Sequence, residues 1–141
     1  MKTIKFLALG FAMMASFALV EVKAQATSLE AETTVEGPSI KFDNTTFDYG
    51  QIEQGSHGDC EFTFANVGTE PLLLSDVRAS CGCTTPSWTR EPIMPGKTGT
   101  IKVHYDTNRL GGINKAITVT TNGNPERVVL RIVGNVNPKA N

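Results

Sequence analysis

Cys81 and Cys83 offer the most direct chemistry in this chain, because a single glycine, Gly82, separates two thiols. Two thiolates on a glycine-hinged loop suit a soft metal ion such as Cu(I), with Met94 or His57 as a third ligand. The same pair can instead form a disulfide, since Gly82 lets the chain fold back on itself. Such a small ring is readily reduced, which makes thiol exchange a further alternative.

The structural alternative is that these cysteines form disulfides or lie buried as small apolar groups, as is usual in secreted proteins. A closed zinc site needs four ligands, and three cysteines with two histidines reproduce no zinc spacing. The helix N-terminus that activates a thioredoxin-like cysteine is also missing from the pattern. The string "SHGD", residues 56–59, consists of consecutive turn residues and does not form a catalytic triad. We therefore expect no enzymatic activity.

The N-terminal segment has the pattern of a secretory signal peptide over residues 1–26. Lys2 and Lys5 precede an apolar run, residues 6–20, and cleavage is expected after Ala24 or Ala26. The run is shorter than the roughly 20 residues that a spanning helix needs. The sequence predicts a secreted or periplasmic product that is soluble after cleavage and has no membrane insertion.

The remaining roughly 115 residues have the size of one domain. Residues 27–38 are polar and acidic and end in Gly-Pro, so we expect a flexible leader followed by the folded domain at 39–137. The net charge is −1, and the basic residues are scattered singly. This composition argues against nucleic acid or an anionic membrane as a partner.

Alternation of apolar and polar residues from Ser39 onward predicts an all-β domain. Cys60 should point inward with Phe62 and Phe64, and four residues are predicted to be buried in the core: Phe62, Phe64, Val103 and Leu130. The run of leucines from Leu72 to Leu74 indicates a strand covered on both faces. Asn122-Gly123 predicts a two-residue type I′ hairpin turn.

About seven strands joined by turn residues favour an immunoglobulin-like antiparallel β-sandwich, with a small barrel as the alternative. No cysteine follows Trp88, so the antibody-type disulfide between the sheets is excluded. We expect Cys60 to be a buried thiol and Cys81 and Cys83 to stay accessible. A disulfide from Cys60 to either of them is the less favoured alternative.

The strings "FDYGQIEQG", "FTFANVGTEPLLLSDVRASCGCTTPSW", "PIMPGKTGTIKVHYDT" and "NKAITVTTNG" closely resemble a secreted bacterial family, domain of unknown function 1573. The resemblance covers about residues 47–136 and implies an Ig-like sandwich, similar to sperm-protein-like and cilia-associated modules, with no established activity. Besides the Cys-Gly-Cys segment it singles out six residues as structural turn positions: Gly50, Asn66, Gly68, Pro71, Pro95 and Gly96. Cys60 is a local addition to the pattern.

Together these features predict a secreted binding or assembly module whose partner is a protein or another cell-envelope component. The predicted binding loop consists of Cys81, Gly82, Cys83, Thr84 and Trp88. No cofactor is expected, apart from Cu(I) if Cys81 and Cys83 bind it. The alternative function is a periplasmic protein that handles soft metal or thiols with the same two cysteines.

Overall fold

The computed structural model describes residues 35–140, which contain eight β-strands and no helix. The strands are β1 (Ile40–Phe42), β2 (Thr46–Glu53), β3 (Asp59–Asn66), β4 (Leu74–Ala79), β5 (Thr84–Trp88), β6 (Thr98–Tyr105), β7 (Gly111–Thr121) and β8 (Arg127–Asn137). They form two four-stranded sheets, in the orders β1-β3-β6-β5 and β2-β8-β7-β4. The predicted all-β sandwich is confirmed, with eight strands where seven were predicted.

The pairing of the strands is almost entirely antiparallel. Within each sheet the described neighbours run antiparallel, except that β2 pairs in parallel with β8. Strands β2 and β8 are far apart along the chain, so β2 joins the edge of the second sheet through a long-range pairing. The second sheet is therefore mixed, and the first is antiparallel throughout.

Strand β3 shows why the sequence pattern forms a sandwich. Cys60, Phe62 and Phe64 are buried, while Asp59 and Glu61 on the alternate positions are exposed. The Phe64 ring packs over Gly99, its cross-strand partner on β6, where a β-carbon would collide with the ring. All four predicted core residues, Phe62, Phe64, Val103 and Leu130, are buried.

The additional strand is β5, whose residues were predicted to lie in a loop. It pairs with β6 and forms one edge of the first sheet. Pro86 lies in its middle, opposite Val103. Proline has no amide hydrogen to donate to a neighbouring strand, so within sheets it is tolerated mainly on edge strands. Because Pro86 follows two threonines, the sequence suggested a loop here and the strand was not predicted.

The predicted type I′ turn at Asn122-Gly123 is wrong. Residues 122–126 separate β7 from β8, the Asn124-Pro125 bond is cis, and Gly123 does not have a positive φ. Gly123 is instead needed for close packing, because a β-carbon there would lie 2.7 Å from the Pro38 carbonyl oxygen and 2.9 Å from Leu72. Tertiary packing therefore determines this connection.

The leucine run does not form a strand covered on both faces. Leu72 and Leu74 are buried, whereas Leu73 between them is exposed. Leu72 also lies before β4 and forms an isolated bridge with Ile93. Buried and exposed side chains therefore alternate through this run, although all three residues are leucine.

Residues 35–38, the end of the predicted leader, are attached to the domain. Val35 bridges Gly68, and the carbonyl oxygens of Gly37 and Pro38 accept hydrogen bonds from Thr69 and Asn124. The predicted signal peptide and the leader up to residue 34 lie outside the described residues. Within the described part, no helix is long and apolar enough to cross a membrane.

Candidate functional site

The cysteine segment lies between the end of β4 and the start of β5. Ser80 fixes its entry, since the Ser80 amide donates to the Ala116 carbonyl oxygen (2.9 Å) and the Ser80 hydroxyl accepts from the Ala116 amide (3.2 Å). Both contacts are made to β7, the strand next to β4. The segment therefore begins from a position fixed by the second sheet.

Cys81 and Cys83 are joined by a disulfide, with their α-carbons 5.3 Å apart. The Thr84 amide donates to the Cys81 carbonyl oxygen (3.4 Å), and the Asp106 amide donates to the Cys83 carbonyl oxygen (2.9 Å). The Thr84 hydroxyl oxygen lies 3.8 Å from each of the two sulfur atoms. A covalent ring and four surrounding contacts thus hold the segment in one conformation.

Only part of this segment is accessible. Gly82 is exposed, and no atom lies within 4 Å of the position that a β-carbon would take there. Cys81 is half-buried, whereas Cys83 and Thr84 are 6% and 3% exposed. The expectation of an accessible Cys83 is therefore wrong. The surface consists of Gly82 and the outer side of Cys81, and we call the ring Cys81–Gly82–Cys83 the disulfide tip.

Trp88 lies at the far end of β5, away from the disulfide tip. Four strand steps separate it from Thr84, which is roughly 13 Å at the usual rise per residue. The Arg90 guanidinium carbon lies 4.7 Å from the centre of the half-buried Trp88 ring. The indole nitrogen is buried without a hydrogen-bond partner among the described residues. Trp88 is therefore not part of the surface at the disulfide tip.

Cys60 takes no part in the disulfide, so the prediction of a buried thiol without a bond to Cys81 or Cys83 is confirmed. Burial raises the pKa of the Cys60 thiol. Burial also raises the pKa of Tyr49 well above its usual range. The Tyr49 hydroxyl donates to the Gly58 carbonyl oxygen at 2.7 Å. Cys60 is therefore a core residue.

Met94 and His57, the two candidate third ligands for a soft metal ion, lie at opposite ends of the sandwich. Met94 follows β5 at the opposite end of the sandwich, with β6 running between the two ends for roughly 20 Å at the usual rise per residue. His57 precedes β3 at the same end as the disulfide tip. The fold thus separates Met94 from the cysteines. The cysteines, bonded to each other, offer thiolate ligands only after reduction.

Five of the six residues predicted as structural turns, Asn66 and four others, lie at the end of the sandwich opposite the disulfide tip. Asn66 is fully buried at the end of β3 and is therefore a strand residue. Its side-chain amide donates to the carbonyl oxygens of Glu70 (2.7 Å) and Ile93 (2.8 Å), and its side-chain oxygen accepts from the Gly68 amide (3.0 Å). The Ser39 amide also donates to the Asn66 side-chain oxygen (3.5 Å). Asn66 thereby ties together three segments: the residues before β1, the β3–β4 connection and the β5–β6 connection.

Four of the remaining turn residues lie beside Asn66. The Asn66 carbonyl oxygen accepts from the Gly96 amide, and Gly96 takes a positive φ of 75° directly after Pro95. Gly68 approaches the backbone of Gly37 too closely for any side chain. Pro71 presents its carbonyl oxygen to the Asn122 side chain (3.2 Å).

Gly50 lies apart from the group around Asn66. It has a positive φ of 64° within a register shift of β2, as expected for a bulge. The turn residues thus have structural roles, and none lies at the disulfide tip.

Sequence reasoning did not predict a polar cluster next to the disulfide tip. The Asp59 carboxylate lies between two imidazoles, with Oδ2 3.0 Å from His57 Nε2 and Oδ1 2.6 Å from His104 Nδ1. The hydrogen bond with His104 holds the pKa of Asp59 below its usual value. His104 is the cross-strand partner of both Asp59 and Thr85, so the cluster lies one residue from Thr84. The polar alternation of β3 and β6 was visible in the sequence, but their register was not.

Comparison with solved structures shows the fold. A protein of unknown function from Porphyromonas gingivalis W83 matches with a TM-score of 0.63 and 20% identity, over 77% of this chain and 51% of that one. The ASH/PapD-like domain 7 of human CEP192 matches with a TM-score of 0.61 and 9% identity, over 72% and 87%. The YadV chaperone matches with a TM-score of 0.50 and 16% identity, over 72% and 53%. The chain thus spans about half the length of the Porphyromonas protein.

At the sequence level, the family described as "Protein of unknown function (DUF1573)" matches residues 40–136. No curated protein matches the chain. The family match includes the whole disulfide tip and every strand of the sandwich except the last residue of β8. The resemblance inferred from the sequence motifs is therefore confirmed.

Proposed function

The chain belongs to the DUF1573 family, and from that membership and the geometry of its loop we propose that it is a non-catalytic binding or assembly module of the cell envelope. The disulfide tip is its contact surface. The partner is a protein or another envelope component, with no nucleic acid and no inserted membrane segment. No cofactor takes part in this function.

The observation that carries this proposal is the combination of rigidity and exposure at the disulfide tip. The ring is covalently closed, and hydrogen bonds to Thr84 and Asp106 hold its backbone, yet Gly82 has open space around it. A loop that is already ordered loses little conformational entropy when a partner binds. The rest of the ring is anchored in the core through Cys83. This arrangement suits recognition of a partner by shape.

Residue-specific photocrosslinking in the native cell tests the proposal. A photoreactive amino acid at position 82 should give a discrete adduct, and the double substitution Cys81→Ser/Cys83→Ser should remove it. The matched control is the same amino acid at position 70, because Glu70 is equally exposed at the other end of the sandwich. The absence of an adduct at position 82, or the same adducts at both positions, would contradict the proposal.

Thiol–disulfide exchange is a second candidate, favoured by the half-exposure of Cys81. In such an exchange, a thiolate of a reduced dithiol partner attacks the Cys81 sulfur, and Cys83 leaves as a thiolate that takes up a proton. The partner's second thiol then releases Cys81, so the partner is oxidised and the chain is left with two thiols. The chain should then accelerate oxidation of a model dithiol, and Cys81→Ser should abolish the acceleration. A rate equal to that without the chain would exclude this function.

Cu(I) binding would require reduction of the Cys81–Cys83 disulfide. The reduced chain offers the thiolates of Cys81 and Cys83, and His57 lies at the same end of the molecule. We expect the reduced chain to bind one Cu(I) in competition with a chromogenic chelator and the oxidised chain to bind none. Equal uptake by both forms would show that the two cysteines are not the ligands.

A further inference from the structure

Both histidines of the chain contact the same carboxylate, that of Asp59. His57 belongs to the connection between β2 and β3, and His104 belongs to β6. They are 47 positions apart in the sequence, and the β3–β6 register brings His104 directly opposite Asp59. The fold thus assembles two imidazoles and one carboxylate from separate segments.

The cluster is open to solvent and contributes little to holding the domain together. The side chains of His57, Asp59 and His104 are 86%, 52% and 61% exposed. Exposed ion pairs of this kind stabilise a fold only weakly. The three side chains line a groove of about 460 Å³, so an ion from solution has direct access to them.

The other charges in the groove are paired with each other. Lys102 on β6 lies 3.6 Å from Glu61 on β3, and the lining residues from β5 are the uncharged Thr85 and Ser87. Asp59 is therefore the carboxylate of this groove that faces imidazoles and no lysine or arginine. Its charge is available to a cation that the imidazoles also bind.

We propose that His57, Asp59 and His104 form a binding site for a divalent transition-metal ion of the Zn²⁺ class. Imidazole nitrogen with carboxylate oxygen is a common ligand set for Zn²⁺, and three protein ligands leave one position for water. Bonds of about 2.0–2.2 Å place two tetrahedral ligands of one ion roughly 3.4 Å apart. The imidazole and carboxylate atoms lie at hydrogen-bonding distance, 3.0 Å and 2.6 Å, so each pair has to open only slightly to reach that spacing.

Binding requires a small rearrangement of the side chains. In the described part of the chain, no three potential ligands already converge on one point, since the two imidazoles approach different oxygens of Asp59. The exposure of both rings leaves them free to rotate toward one ion. The ion then replaces the protons shared between the rings and the carboxylate. This site is separate from the disulfide tip and does not depend on its function.

Titration of the oxidised, metal-free chain with Zn²⁺, without an affinity tag, tests the proposal. Calorimetry should show saturation at one Zn²⁺ per chain at micromolar concentration. Asp59→Asn and His104→Ala should each weaken binding by at least about 10-fold, because even the loss of a residue that only orients a metal ligand costs about 10- to 100-fold in affinity. The ring resonances of both histidines should shift in NMR spectra and saturate at one equivalent.

Two matched control variants test whether binding is specific to the three proposed ligands. Glu61→Gln removes a carboxylate from the same groove, and Cys60→Ser removes the thiol behind it, and both should bind Zn²⁺ as the parent chain does. Circular dichroism should show that every variant is folded, because Asp59, Glu61 and His104 are exposed and serine is nearly the same size as the buried Cys60. The proposal is overturned if binding does not saturate, if it survives Asp59→Asn, or if it is lost in Cys60→Ser.

Discussion

At the scale of single residues, disulfide formation separates the three cysteines into two chemical classes. Cys60 is 5% exposed and its pKa is raised by burial, so it combines poor access with a small thiolate fraction. Cys81 and Cys83 are consumed in a disulfide whose outer side reaches solvent. The alternation of β3 predicted the position of Cys60, but no sequence pattern could reveal how deeply Cys83 is buried.

Cys60 should react very slowly with a thiol reagent at neutral pH while the chain is folded. Peptide mapping after alkylation checks this, with the urea-unfolded chain as the control that labels fully. Rapid alkylation of Cys60 under native conditions would contradict its burial.

The carboxyl group of Asp59 should titrate below the ordinary aspartate range in carbon-detected NMR, because its hydrogen bond with His104 lowers its pKa. His104→Ala should move the titration of Asp59 upward, toward the ordinary aspartate range. His57→Ala should have a smaller effect, since the contribution of His57 is the weaker one. Because the folded pKa is lowered, the contribution of Asp59 to stability is present above its unfolded pKa and is lost as the pH falls through the folded value. An unchanged titration in His104→Ala would contradict this.

At the scale of elements, the sequence predicted the strands that bury one face. It did not predict strands and contacts that depend on packing between distant segments. Strands β3 and β6 alternate clearly and were predicted. Strand β5 was missed because Pro86 is allowed only by its edge position, which depends on the strand order of the whole sheet. His57 and His104 meet at Asp59 only through the register of two distant strands. Such long-range pairing leaves no local signal in one sequence.

Removing the side chain of Asn66 should loosen the end of the sandwich where three loops meet. Asn66→Ala leaves the Glu70 carbonyl oxygen and the Gly68 amide without their hydrogen-bond partner. We expect a loss of about 2–4 kcal/mol, as for one or two unsatisfied polar groups. Urea unfolding measures this, with the exposed Asn44→Ala as the matched control. A loss no larger than that of the control would show that the Asn66 hydrogen bonds are dispensable.

At the scale of the whole molecule, the two sheets share one core to which both contribute fully buried side chains, such as Ile101 from the first and Ile117 and Leu130 from the second. Neither sheet covers its apolar face alone, so both depend on the same contacts. The class of fold was predictable because this shared core imposes a period of two on most strands. The partition of strands between the sheets was not predictable, because it is set by contacts between distant segments.

Phe62→Ala should cost roughly 3–5 kcal/mol of unfolding free energy, because it removes a large side chain from this shared core. Thr63→Ala, on the outward face of the same strand, is the matched control and should change the unfolding free energy by under about 0.5 kcal/mol. Chemical unfolding of both variants decides the matter. A loss below about 1 kcal/mol for Phe62→Ala would mean that the ring is not a core element.

The parallel pairing of β2 with β8 has a consequence for the order in which the chain is synthesised. Strand β2 leaves the ribosome early, whereas β8, which lies between β2 and β7 in the sheet, follows every other described strand. The second sheet therefore lacks one of its two central strands, and β2 lacks its partner in the sheet, until synthesis has passed Asn137. Until then the edges of β2 and β7 that pair with β8 remain open, and holding factors have that interval in which to bind them. Completion of the second sheet is thus a late event in the synthesis of this domain.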